Sequence, residues 1–192
     1  MMSSVKASVR RSKISGFTLI ELLVVIAIIG ILASIVLASL NTARLKSRDA
    51  RRLADIKQLQ IGLKLYFDAQ GTQYPPATAT CATPAGVGDD ENRGLQVLVN
   101  KGYIPQIARD PGSPSTCYSY ATLGSPVTTY HLGASMEDAG NPSLSVDKDC
   151  NSSTALPSAG SCGSAVYTQG FDGADAAGCA GEAGKACFDV VP

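Results

Sequence analysis

One histidine, His131, is all that this chain of 192 residues contains, and no two of its six cysteines are spaced as Cys-x-x-Cys. Together those absences argue against a structural zinc site, which draws on closely spaced Cys and His ligands. There is no Gly-x-Ser-x-Gly elbow, no Gly-rich phosphate loop and no Walker pattern. Hydrolase and nucleotide chemistry therefore lack their usual sequence supports. His131 stands alone in a strand-like pattern, where a histidine is ordinarily structural, so the chain reads as a non-enzyme. No cysteine precedes Cys81, and no proline interrupts residues 41–69. Charge is also missing, but only locally: residues 17–40 carry a single ionisable side chain, Glu21.

That apolar stretch is 24 residues long. As a helix rising ~1.5 Å per residue it reaches about 36 Å, enough to cross a hydrocarbon core of ~30 Å with room for tilt. A carboxylate a turn into such a segment costs about 2.5–3.5 kcal/mol at mid-membrane on insertion scales and less near the interface, so Glu21 calls for a partner. A secretory signal peptide also has a basic start, here Lys6, Arg10, Arg11 and Lys13. Its apolar region should however run only ~7–15 residues, whereas 19 uncharged residues follow Glu21. A small-x-small cleavage site near Ala38 or Ala43 is weak. A plain signal anchor fits the length and leaves Glu21 unexplained.

The run Lys13-Ile14-Ser15-Gly16-Phe17-Thr18-Leu19-Ile20-Glu21-Leu22 closely resembles the class III signal of type IV pilins and of the pseudopilins of type II secretion. The resemblance implies cleavage between Gly16 and Phe17 by a prepilin peptidase, N-methylation of the new Phe17 terminus and assembly into a helical filament. It also implies N-inside topology in the cytoplasmic membrane, an extracytoplasmic head, and dependence on an assembly ATPase and a platform protein. Glu21 then has a role: a neighbouring subunit's Phe17 amine can sit beside it in the apolar filament core. Two charges ~4 Å apart in a poorly screened setting attract by several kcal/mol, although desolvation takes back much of it.

Four segments follow from this reading: a leader (1–16), a membrane-spanning half-helix (17–40), an amphipathic half-helix (41–70) and a head (71–192). Leu45, Leu53, Ile56, Leu59, Leu63 and Tyr66 recur in steps of three and four, apart from one gap of eight, and predict an amphipathic stripe. Arg44, Lys46, Arg48, Arg51, Arg52, Asp55 and Lys57 fill much of the remaining surface. Gly71 is placed to end the helix, and Tyr74-Pro75-Pro76 prevents continuation. The segment from Tyr66 to Tyr74-Pro75-Pro76 resembles the end of the first helix in major pseudopilins, as does the Pro-punctuated loop of Tyr103-Ile104-Pro105 and Arg109-Asp110-Pro111.

Within the head, a short helix is expected over about residues 91–101, with Leu95, Leu98 and Val99 inward and the acids Asp89, Asp90 and Glu91 at its start. Residues 118–122 and 127–132, joined by Gly124-Ser125-Pro126, predict a hairpin. From Asp138 onward Gly, Ser, Ala, Asn and Pro dominate, and four cysteines suggest a stapled, loop-rich tail. The expected fold is thus α+β, a long N-terminal helix on a small head with a short helix, an antiparallel sheet and a disulfide-stapled C-terminus. Six cysteines, an even number, point to disulfides and an oxidising compartment. They allow 15 connectivities; the sequential one, Cys81–Cys117, Cys150–Cys162 and Cys179–Cys187, keeps the last two loops short.

No cofactor is expected, with calcium as the exception to be weighed. Asp172, Asp175, Glu182 and Asp189 lie among glycines and could ligate Ca²⁺ through oxygen. The major pseudopilins that the chain resembles hold calcium in a C-terminal loop, though the spacing here matches no EF-hand. Residues 41–70 carry seven basic and three acidic side chains; residues 71–192 carry five basic and twelve acidic. An acidic head argues against nucleic acid as the main partner and so against a DNA-uptake minor pilin. A membrane-anchored ectodomain that binds a ligand without assembling is the other alternative. Tyr74-Pro75-Pro76 and the Pro-rich loop favour a pseudopilin over a pilin.

Overall fold

The computed structural model describes residues 16–77, 94–112, 117–153, 162, 166–174, 178–179 and 184–192. The leader with Lys13, the loop with Cys81, the acids Asp89, Asp90 and Glu91, and Asp175 and Glu182 lie outside the described residues. The chain divides after Thr42 into two units.

One helix, α1 (Leu19–Ala69), accounts for much of the described chain. Before Thr42 its large apolar side chains, among them Leu19, Ile26, Ile35 and Leu37, are all exposed. The helix is long and apolar enough to cross a membrane. After Ala43 its inward stripe is Asp49, Arg52, Ile56, Leu59, Gly62 and Leu63. Removing Leu59 and Leu63 from water stabilises the head by about 1.5–3 kcal/mol each. The helix ends at Gly71, whose φ of 75° suits a residue without a Cβ. There the Thr72 N–H donates to the Phe67 carbonyl at 3.1 Å, a Schellman-type closure.

The head sheet has three antiparallel strands in the order β1 (Ser119–Leu123), β2 (Thr129–Met136), β3 (Ala186–Val190). β1 and β2 are the expected hairpin, registered through Ala121 opposite His131. β3 adds a strand from the loop-rich tail, one that the sequence reading did not place. It pairs along β2 from Leu132–Val190 to Met136–Ala186, because Ala186, Cys187, Phe188, Asp189 and Val190 offer a short β-forming run whose inward positions the hairpin alone leaves uncovered. The first correction concerns the short helix α2, which is confined to Gln96–Asn100. Gly94, at φ 83°, and Leu95 form a turn ahead of it, and residues 91–93 of the expected helix lie outside the described residues. Leu95 and Leu98 are buried as expected, and Val99 packs partly exposed at the core edge.

The main core gathers Ile56, Leu59, Leu63, Tyr74, Leu98, Ile104, Tyr118, Tyr120, Tyr130 and Leu132. Its tyrosines keep their polar ends satisfied: Tyr118 donates to Asp55 at 2.6 Å and Tyr120 to the Pro75 carbonyl at 2.7 Å. Burial raises the Tyr120 phenol well above its ordinary pKa. The tail is stapled by Cys150–Cys162 and Cys179–Cys187, two of the three bonds in the sequential pairing. Cys117 is also disulfide-bonded.

Arg52 is the second correction. The sequence pattern put it on the solvated side of α1, but its side chain is fully buried. Nε and Nη2 clamp the two Asp110 oxygens, each at 2.7 Å. Nη1 donates to Asp49 at 2.6 Å, and Nη2 also donates to Glu137 at 2.7 Å. Asp49 in turn accepts the backbone N–H groups of Glu137 and Asp138 at 3.0 and 2.8 Å. Arg48 completes the cluster with a two-pronged ion pair to Glu137. Gly112 lies so close that a Cβ there would stand 2.7 Å from Arg52 Nη2 and 2.9 Å from Glu137 Oε1. Hydrogen bonding from Arg48, then from Arg52, holds the Glu137 carboxyl down at about 2.

Two outcomes follow. Arg52→Ala strands Asp49 and Asp110 in the interior and should cost about 3–5 kcal/mol, read by denaturant unfolding of the detergent-solubilised chain. Arg52→Lys recovers only part of it, since an ammonium cannot form the planar fork. Glu137 is held below its unfolded value near 4.5, so its contribution is complete above about pH 5 and lost as pH falls toward 2. The melting-temperature gap between wild type and Glu137→Gln should therefore close over that acid range.

Candidate functional site

The start of α1 is built by reciprocal capping. Thr18 precedes the first helical residue, where a hydroxyl can accept an otherwise unpaired backbone N–H. Its Oγ1 accepts the Glu21 N–H at 3.2 Å and donates to Glu21 Oε2 at 2.7 Å. The Thr18 N–H donates to the same Oε2 at 2.9 Å. This is a capping box, and the Thr-x-x-Glu spacing ahead of an apolar run was its legible signal. The sequence singled out Glu21 for its charge; its bond to Thr18 was missed. Both bonds fall on Oε2, so Oε1 has no hydrogen-bond partner among the described residues.

Around the cap, Gly16 and Phe17 are exposed, with Phe17 at 87 %. Every described residue from Gly16 to Leu40 is exposed. The arrangement is therefore a carboxylate with one oxygen held by its own helix and the other available, at the end of an apolar rod. It offers a cation site and an apolar packing surface.

His131 has a more elaborate setting than a lone residue would suggest. Its Nε2 lies 2.6 Å from Asp189 Oδ2 and its Nδ1 lies 2.7 Å from Ser152 Oγ. Phe171 stacks on the ring at 3.8 Å between centroids. The residue types match a catalytic Ser-His-Asp set, but all three side chains are 0 % exposed. Ser152 is further engaged by the Phe171 backbone, accepting its N–H at 3.0 Å and lying 3.1 Å from its carbonyl. Asp189 accepts the N–H groups of Lys148, Asp149 and Cys150 at 3.0, 2.8 and 3.2 Å. The set pins the stapled tail to β2 and β3, and no substrate carbonyl could approach Ser152. Sequence reading found His131 and missed Ser152 and Asp189 as its partners, since contacts 21 and 58 residues apart leave no local signal.

Of the four calcium candidates, the structure describes Asp172 and Asp189. Asp172 is exposed and accepts the Ala174 N–H at 3.1 Å; Asp175 and Glu182 lie outside the described residues, and Asp189 is committed to His131 and the backbone. Among the described residues, His131, Cys150 and Cys162 bring ligand-type atoms within 4.8 Å, but the two sulfurs are bonded to each other and offer no thiolate. Thr18→Val should free the first-turn amides of α1. A lost cap of ~1 kcal/mol predicts roughly fivefold faster amide exchange at Glu21 in micelles, with the head's amides unchanged.

Comparison with known proteins converges on this N-terminal element. The prokaryotic N-terminal methylation motif matches residues 11–37. The type II secretion system core protein G of Aeromonas hydrophila is 32 % identical over 124 residues, covering 57 % of this chain and 76 % of that protein. The core protein G of Pseudomonas aeruginosa is 30 % identical over 146 residues, 69 % of this chain and 92 % of that protein. The type IV major fimbrial protein FimA of Dichelobacter nodosus is 35 % identical over 112 residues, 57 % of this chain and 66 % of that protein. No solved structure matches the chain. With the methylation motif at its start and core protein G relatives aligned over most of their own length, the chain belongs to the pilin and pseudopilin family.

Proposed function

We propose that this chain is a structural subunit of a type IV pilus-like filament, cut between Gly16 and Phe17, methylated at Phe17 and assembled through α1. The observation that carries the reading is the half-used Glu21 carboxylate beside Phe17, at the head of a helix whose apolar side chains are exposed. Cleavage turns the Phe17 nitrogen into a cation. In an assembled core, the amine of one subunit meets Glu21 Oε1 of the next, while Thr18 keeps Oε2 and fixes the carboxylate in place. Apolar helices gain little by meeting one another in lipid, so this polar pair sets register rather than supplying bulk affinity. The relatives named core protein G favour the pseudopilin branch, and the fimbrial relatives the pilin branch.

Partners follow from the same reading: a prepilin peptidase for the cut, an assembly ATPase and a platform protein for work that this chain cannot power, and further copies of itself. The N-terminus faces the cytoplasm and the head lies outside, where disulfides persist. Its activity is assembly rather than catalysis, consistent with the sealed His131 set. The acidic head gives no support to DNA uptake.

Glu21→Ala should insert and be processed like wild type yet yield at least tenfold less sheared filament, measured by immunoblot of the sheared fraction. Glu21→Gln, which keeps the Thr18 contact and removes the charge, should fail similarly. Normal filaments from both variants would remove the role assigned to Glu21.

A further inference from the structure

The cations of α1 are not all answered by carboxylates. Arg48 pairs with Glu137, Arg51 lies 3.8 Å from Asp55, Arg52 is enclosed by three carboxylates, and Lys64 reaches Asp68 at 2.9 Å. Arg44 and Lys46 are exposed and make no hydrogen bond or ion pair among the described residues. Residues 41–47 contain no acid, and the first one beyond them, Asp49, is buried and bonded to Arg52. Two residues apart on a helix, Arg44 and Lys46 stand about 200° from each other. They face opposite sides of α1 and form a collar rather than a patch.

Their place along the helix identifies what answers them. Leu40 ends the apolar run, and at ~1.5 Å per residue Arg44 and Lys46 follow it by about 6 and 9 Å. A bilayer with ~30 Å of hydrocarbon measures ~40–45 Å with its headgroups, which leaves a polar layer about 5–8 Å deep on each face. Arg44 starts within that layer and Lys46 at its edge, inside the reach of a long cationic side chain. Lys and Arg are ordinarily in excess on the cytoplasmic side of a span. In the proposed topology, cutting after Gly16 removes Lys6, Arg10, Arg11 and Lys13 from that side and leaves the collar on the other. The processed chain then holds twelve basic and sixteen acidic side chains. Its overall charge repels an anionic surface, so attraction to one needs a local feature such as this collar.

We propose that Arg44 and Lys46 bind the phosphates of anionic phospholipids in the outer leaflet of the cytoplasmic membrane and so fix the depth of the processed chain before assembly. The proposal deepens the filament reading and rests on it for topology. It adds a lipid contact that is given up when the chain leaves the bilayer. The attraction is electrostatic and weakens as salt screens it.

The test uses the full-length chain, co-produced with a prepilin peptidase and reconstituted in phosphatidylcholine vesicles. These carry spin-labelled phosphatidylglycerol or spin-labelled phosphatidylcholine, and electron paramagnetic resonance reads the fraction of each label held at the protein surface. At low salt the wild type should prefer phosphatidylglycerol by on the order of fivefold, falling toward parity in high salt. Arg44→Gln with Lys46→Gln should lose that preference and keep the wild-type melting temperature. Lys57→Gln, about 16 Å farther along α1, should keep both. Equal binding of the two lipids by the wild type, an undiminished preference in the double variant or an equal loss in Lys57→Gln would overturn the collar. Inorganic phosphate that abolishes the preference, where chloride of the same ionic strength does not, would overturn the bilayer as the source of the ligand. The mass of the reconstituted chain separates the two readings. An uncut chain whose preference still falls in the double variant sinks the filament reading and keeps the collar; a chain cut after Gly16 without the preference sinks the collar alone.

Discussion

Arg52 makes four hydrogen bonds to three carboxylates without contact with water. An isolated guanidinium in that position would be expensive to bury, and each carboxylate would be as expensive without it. The cluster holds together because Asp110 takes the planar fork, Asp49 also accepts two backbone N–H groups, and Glu137 is shared with Arg48. It joins α1 to the loop before β1 and to the end of β2. The apolar core packs from Ile56 onward along the same face of the helix. A small head with a modest core thereby acquires a fixed register on its helix, which a purely apolar seam of Leu and Ile would specify less sharply.

The same helix handles polarity differently in its two parts. Before Thr42 the described side chains are exposed and apolar, and the single carboxylate is tied to the helix end by Thr18. After Ala43 charges are plentiful, and the inward ones are paired. In both places a carboxylate is positioned by a neighbour rather than left to solvent. In the proposed filament, the free Glu21 oxygen is the group assigned to recognition between copies, and the head is the part assigned to the outside.

How much of this could be read from the residues varied with the range of the interaction. The long helix and its Gly71 stop were legible because periodicity, the absence of proline and a C-terminal glycine all act locally. The β1–β2 hairpin was legible for the same reason, with Gly124-Ser125-Pro126 between two β-forming runs. Arg52 was misplaced because a helical stripe is recognised by apolar residues, and a buried arginine looks like a solvated one until Asp110 and Glu137 are brought to it. β3 was hidden by the Gly- and Ser-rich composition around it, and its pairing with β2 spans some fifty residues. The site itself was half visible. Glu21 stood out as a lone charge; its bond to Thr18 had a local signal in the Thr-x-x-Glu spacing, while the partners of His131 emerged only in three dimensions.

The central claim is that a freshly cut Phe17 terminus and the Glu21 carboxylate recognise each other between copies. The most direct measurement is the intact mass of the chain taken from its native membrane and filament fractions. The account predicts that filament protein begins at Phe17 and carries one added methyl group, with the uncut chain confined to the membrane. A filament built from chains that retain Met1 through Gly16 would contradict it.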